Sequence, residues 1–97
     1  MMKSREEIIL SLTKCKSRLQ TKYKIKKMGL FGSYARGDQT DKSDVDVLVE
    51  VDPSIGLNFV TLADDIEKEL GLPTDVVSAG AVKPRYRQVI QSELIYV

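Results

Sequence analysis

Residues 30–51 read LFGSYARGDQTDKSDVDVLVEV, and the fold turns on how this stretch is divided. Its second half, DVDVLVEV, alternates strictly. Val45, Val47, Val49 and Val51 fall on one face of a strand, and Asp44, Asp46, Leu48 and Glu50 on the other. Its first residues close the segment KIKKMGLFG, which reads as a short strand ending at Gly32. The intervening SYARGDQTDKS is polar and glycine-containing, a helical turn followed by a loop. About a dozen residues join the two strands, a length that favours an antiparallel pair.

Working outward, the N-terminal segment carries an S-x-x-E capping box in Ser4 and Glu7, followed by Ile8, Leu12, Cys15 and Leu19 at helical spacing. This predicts a helix over about residues 4–22. Beyond the central strands, Pro53 and Gly56 mark a turn. LNFVTLADDIEKEL then places Phe59, Val60, Ala63, Ile66 and Leu70 at a helical period, stopped by Gly71 and Pro73. TDVVS reads as a third short strand. Pro84 suits a first helical turn, and RYRQVIQSELIYV reads as a closing helix with Tyr86, Val89, Ile90 and Leu94 on one side. A helix between the second and third strands favours a parallel, right-handed crossover. The expected fold is a single α/β (α+β) domain spanning 1–97, a small mixed sheet of three or more strands flanked by helices, in the order α-β-turn-β-α-β-α.

Composition limits the chemistry. With 97 residues, 42% hydrophobic and 30% charged, the chain has room for one modest core. It contains no histidine, which removes Ser-His-Asp and Cys-His catalysis and every histidine-containing zinc site. Its one cysteine, Cys15, can form no internal disulfide, and its place among apolar helix positions favours core packing in a reducing cytoplasm. No apolar run is long enough to span a bilayer, and acidic residues interrupt the N-terminus where a signal peptide would be apolar. A cytoplasmic location is expected. Charge is uneven: residues 3–27 carry nine Lys/Arg against two acids, and residues 38–75 carry eleven Asp/Glu against two lysines. The basic half reads either as a solvated helix face or as a surface for an acidic partner or RNA.

The acidic half is patterned. Asp44 and Asp46 point the same way, and a parallel third strand would bring Asp75 beside them. Two unit charges about 4 Å apart repel by roughly 4 kcal/mol at an effective dielectric of 20. Three unpaired carboxylates are costly, and divalent cations would neutralise them, since carboxylate oxygens are hard ligands suited to Mg²⁺ or Mn²⁺. Two such ions can clamp the attacking and leaving oxygens of a phosphoryl or nucleotidyl transfer. At the same end, Gly32 leaves room for a phosphate. Ser33 offers its hydroxyl, and its N–H with that of Tyr34 would point outward. Arg36 lies one turn on, within reach of a phosphate oxygen. Singly, each feature has a plainer reading: D-x-D as a solvated loop end, Gly-Ser as turn chemistry, Asp75 as a turn cap, Arg36 as a surface ion-pair residue. The combination is more specific.

Gly32-Ser33, ten residues, then Asp44-Val45-Asp46 resembles the G-S-x10-D-x-D signature of the DNA polymerase beta-like nucleotidyltransferase superfamily. The stretch GSYARGDQTDKSDVDVLVEV looks most like its minimal members, the stand-alone MNT domains that act as MntA-type antitoxins beside HEPN-domain toxins. The resemblance extends over nearly the whole chain, because the aspartate in TDVVS and the closing helix also fit. It implies a metal-dependent protein adenylyltransferase. Asp44, Asp46 and Asp75 would hold two Mg²⁺ ions (or Mn²⁺), and Asp75 would help activate the acceptor. Gly32 and Ser33 would seat the β- and γ-phosphates of ATP. AMP would pass to a tyrosine of a HEPN ribonuclease toxin, with release of pyrophosphate and silencing of the toxin. The short chain, lacking the polymerases' extra domains, points to an acceptor that brings its own binding surface, with the basic first and last helices as docking faces. Direct nucleic-acid binding is not expected. Two other readings stay open: an antitoxin that neutralises by binding alone, and nucleotidyl transfer to RNA or a small molecule.

Overall fold

The computed structural model, which describes residues 3–97, begins on the cap that the sequence signals. The Ser4 hydroxyl accepts from the Glu7 N–H at 3.2 Å, and the Glu7 carboxylate accepts from the Ser4 N–H at 3.1 Å. Two of the orphan donors at a helix start are thereby satisfied, and α1 runs Arg5–Tyr23. Ile8, Leu12, Cys15 and Leu19 are all buried along it. Lys24 closes the helix in the left-handed conformation, φ 58°.

There follow β1 (Lys27–Phe31), α2 (Ser33–Arg36), β2 (Val45–Glu50), α3 (Asn58–Leu70), β3 (Thr74–Ser78), α4 (Pro84–Glu93) and β4 (Ile95–Tyr96), with 3₁₀ turns at Pro53–Ile55 and Ala79–Ala81. The sheet order is β3-β2-β1-β4. As the loop lengths require, β1 pairs antiparallel with β2, and β2 pairs parallel with β3 across the α3 crossover. Helices α1 and α3 cover one face of the sheet, and Val45, Val47 and Val49 are fully buried there with Leu12, Leu19, Leu62 and Ile66. Arg18 locks the two helices together, donating to both oxygens of Asp65 at 3.0 Å and to Glu69 at 2.9 Å. The Tyr23 hydroxyl also donates to Asp65, at 3.1 Å. Part of the basic charge of α1 is thus engaged inside the molecule. Among the described residues no helix is long and apolar enough to cross a membrane.

Three expectations are corrected. The buried face of α3 is Leu62, Ile66 and Leu70, while Val60 is 61% exposed; an i, i+4, i+8 stripe was hidden by apolar residues on its flanks. The closing helix stops at Glu93, and Ile95–Tyr96 forms a fourth strand on β1, pairing Gly29 with Tyr96 and Leu30 with Ile95. Helix α4 does not bury a full apolar side: Ile90 and Leu94 are half-buried, but Tyr86 and Val89 are exposed. Its place is over the second face of the sheet, where Leu48 is buried and lines a small cavity together with Ala79 and Ile90.

Candidate functional site

Strand register decides what meets at the end of the sheet. Phe31 lies opposite Asp46, and Asp46 lies opposite Asp75. The residue after Phe31, Gly32, is therefore brought beside Asp46. Asp44 stands one residue before β2, at the point where Val45 N–H donates to the Pro73 carbonyl at 3.0 Å. The three aspartates and the Gly-Ser turn lie together, as the spacing implied.

Gly32 has φ 76° and ψ −156°, a conformation that L-residues rarely adopt. Space is as restrictive as the dihedral: a Cβ on Gly32 would run into the Asp46 carboxylate. From here α2 forms a single turn, closed by Arg36 N–H to the Gly32 carbonyl at 3.0 Å and by Gly37 and Asp38 N–H to the Ser33 carbonyl at 2.9 and 3.1 Å. Buried Tyr34 and Ala35 anchor the turn in the core, which leaves Ser33 half-buried at its mouth. Among the described residues the N–H groups of Ser33 and Tyr34 have no hydrogen-bond acceptor in the protein.

Asp46 is half-buried, and its carboxyl is pushed up to about 6. Burial is the larger cause, the charges of Asp75 and Asp44 add to it, and Arg36 offsets it in part. Asp44 and Asp75 are exposed. Among the described residues no three carboxylate or thiol groups are gathered closely enough to hold one ion. The donor set nevertheless suits a hard divalent cation. It consists of carboxylates, one of them crowded by charge that a cation would neutralise.

Arg36 reaches the site but is already engaged. Its Nε donates to Asp38 Oδ2 at 3.0 Å and its Nη1 to Glu93 Oε1 at 2.8 Å. The other oxygen of Glu93 accepts from the Gly32 N–H at 3.0 Å. The sequence reading missed Glu93, which lies 61 residues from Gly32. The closing helix was expected to run on to Val97, past Glu93, so no local signal singled this residue out. Beside Asp44 a cleft of about 430 Å³ opens, lined by Tyr34, Asp41, Lys42, Ser43, Leu72 and Pro73, within the range of small-ligand sites.

A family profile described as a nucleotidyltransferase domain matches residues 12–97. A Methanocaldococcus jannaschii protein assigned as a protein adenylyltransferase is 43% identical over 101 residues, covering 99% of this chain and 100% of its own. The protein adenylyltransferase MntA of Thermococcus cleftensis is 37% identical over 94 residues, covering 95% of this chain and 94% of its own. Among solved structures, a minimal nucleotidyltransferase superposes with a TM-score of 0.79 at 28% identity, over 96% of this chain and 95% of that one. A chain from a toxin–antitoxin crystallised with AMP-PNP shares the fold, with a TM-score of 0.68 at 24% identity over 95% of this chain and 70% of that one.

Proposed function

The chain belongs to the nucleotidyltransferase domain family, and on that premise we propose that it is an antitoxin that transfers AMP from ATP to a tyrosine hydroxyl of a HEPN-family ribonuclease toxin. The observation that carries this reading is the register that sets Gly32, Asp46 and Asp75 side by side, with Asp44 at the strand mouth. A nucleotide triphosphate needs a phosphate seat next to carboxylates, and the sheet end offers both. The relatives' name, protein adenylyltransferase, supports AMP as the group transferred, and the toxin–antitoxin that supplies a chain of the same fold supports a toxin as the partner.

In this reading Gly32 lets the phosphates approach the backbone, and Ser33 supplies its N–H and hydroxyl. Arg36, held at the edge, neutralises phosphate charge. Asp44, Asp46 and Asp75 would hold Mg²⁺ or Mn²⁺, which when bound supplies charge neutralisation for the triphosphate and the leaving pyrophosphate. The acceptor oxygen forms a bond to the α-phosphorus as the bond to pyrophosphate breaks. The exposed carboxylate of Asp75 faces the solvent side of the sheet end, from which an acceptor would enter, and would take the hydroxyl proton.

Incubating the chain with α-labelled ATP, Mg²⁺ and its partner toxin is expected to place label on a toxin tyrosine. Label that persists undiminished after Asp44→Asn plus Asp46→Asn would show that the site is wrongly assigned. Labelled RNA or a labelled small molecule, without labelled protein, would replace the acceptor.

A further inference from the structure

We propose that Glu93 is a positioning residue for this site, a clasp from the C-terminal segment that holds the phosphate turn and Arg36 in working geometry; the inference rests on the nucleotidyl-transfer reading above. One carboxylate spans two elements of the seat, accepting from the Gly32 N–H through Oε2 at 3.0 Å and from Arg36 through Oε1 at 2.8 Å. Its side chain is only 17% exposed, so it is largely shielded from solvent where it meets the turn. The groups it takes are not those left for a ligand: the N–H groups of Ser33 and Tyr34 and Nη2 of Arg36 have no protein partner among the described residues.

The clasp has little freedom. Glu93 is the last residue of α4, and two residues further on β4 is paired to β1. Leu94 between them packs so closely on β1 that a Cβ at Gly29 would lie 2.7 Å from its Cδ1. The strand that forms the turn is therefore the strand that fixes the clasp. Among the described residues, the only side-chain hydrogen bonds from α4 to the sheet end are the two made by Glu93.

A carboxylate this close to a triphosphate seat should, by Coulomb's law alone, oppose nucleotide binding. The sign of its removal therefore tests its role. If Glu93 positions the seat, Glu93→Ala frees Gly32 and Arg36, and kcat/KM for ATP falls about tenfold, the scale of a lost charge-assisted hydrogen bond. Glu93→Gln, which removes the charge but keeps an oxygen acceptor for Gly32, recovers part of that loss. Arg36→Ala combined with Glu93→Ala loses less than the product of the two single losses, because the pair acts together.

The measurements are AMP-transfer kinetics with the partner, calorimetric binding of a non-hydrolysable ATP analogue with Mg²⁺, and the amide resonance of Gly32. The expected result is weaker analogue binding and a displaced Gly32 resonance in Glu93→Ala. Unchanged or tighter binding in both variants would overturn the proposal, since Glu93 would then be idle or a competitor of phosphate. Failure of the underlying reading looks different: the wild-type chain would transfer no AMP, while the Gly32 resonance would still respond to Glu93.

Discussion

The two faces of β2 are built to different standards. On one, Val45, Val47 and Val49 are fully buried under α1 and α3, which contribute Ile8, Leu12, Leu19, Leu62, Ile66 and Leu70 at 0% exposure. On the other, Asp46 and Glu50 are half-buried, Asp44 is exposed at the strand mouth, and the covering helix α4 has no buried residue. The first face supplies the hydrophobic stabilisation. The second carries a crowded carboxylate that burial and its neighbours' charges disfavour. Stability built on one face makes a destabilising arrangement tolerable on the other, as expected where a site holds groups poised for a charged ligand.

The sharpest way to break this division is Asp46→Asn. If the second face serves chemistry, AMP transfer falls roughly a thousandfold, about 4 kcal/mol of transition-state stabilisation. The melting temperature of the unliganded protein stays level or rises, because a disfavoured charge is removed. Lost activity together with a large fall in melting temperature would instead place Asp46 in the fold's support. The converse on the first face is Leu62→Ala, expected to cost about 2–5 kcal/mol in denaturant unfolding. Val89→Ala on exposed α4 should stay within about 0.5 kcal/mol.

The same division explains what the sequence could disclose. The first face was legible because burial writes a period into the chain: the capping box, the α1 stripe and the valine alternation were each local. The site was legible as far as register reaches, since β1, β2 and β3 have lengths and connections that allow only a few pairings. What escaped is long-range or short. Two residues, Ile95 and Tyr96, are too few to show a strand period, and they continued an apolar helix pattern. The Glu93–Gly32 bond joins positions that no local rule connects. Exposed Val60 and buried Leu62 were exchanged because both are apolar, and only the docking of α3 on α1 tells them apart.

Where the two faces meet, Gly32→Ala is the informative change. The left-handed φ of 76° and the closeness of Asp46 both oppose a side chain. The expected cost is about 1–3 kcal/mol of stability, with loss of AMP transfer, since either the turn or the Asp46 carboxylate must shift. Gly37, also at positive φ but with open space around its Cβ position, is the control: Gly37→Ala should lose stability through strain alone and keep the larger part of its activity. Equal activity loss at both positions would mean that the closeness of Gly32 to Asp46 has no functional weight.

A smaller effect than the losses of AMP transfer lies in the pH dependence of the unliganded, metal-free protein. A carboxyl raised in the folded state from 3.8 to about 6 binds its proton more tightly than in the unfolded chain. Between those values the native state holds more protons, so stability falls as pH rises. The contribution is fully present below the unfolded value and is lost as pH passes through about 6. Allowing for solvent screening of a half-buried group, it is on the order of 1 kcal/mol. Asp52 and Asp65 act in the opposite sense, because the N–H of Ser54 and the guanidinium of Arg18 hold their carboxyls low. Their contribution is lost only as pH falls below the ordinary carboxylate range, which separates the two limbs. Chemical denaturation from pH 4 to 7 should therefore show a decline in the wild type that Asp46→Asn abolishes and Asp65→Asn leaves in place. A decline that survives Asp46→Asn would remove the claim that Asp46 carries the strain of the second face.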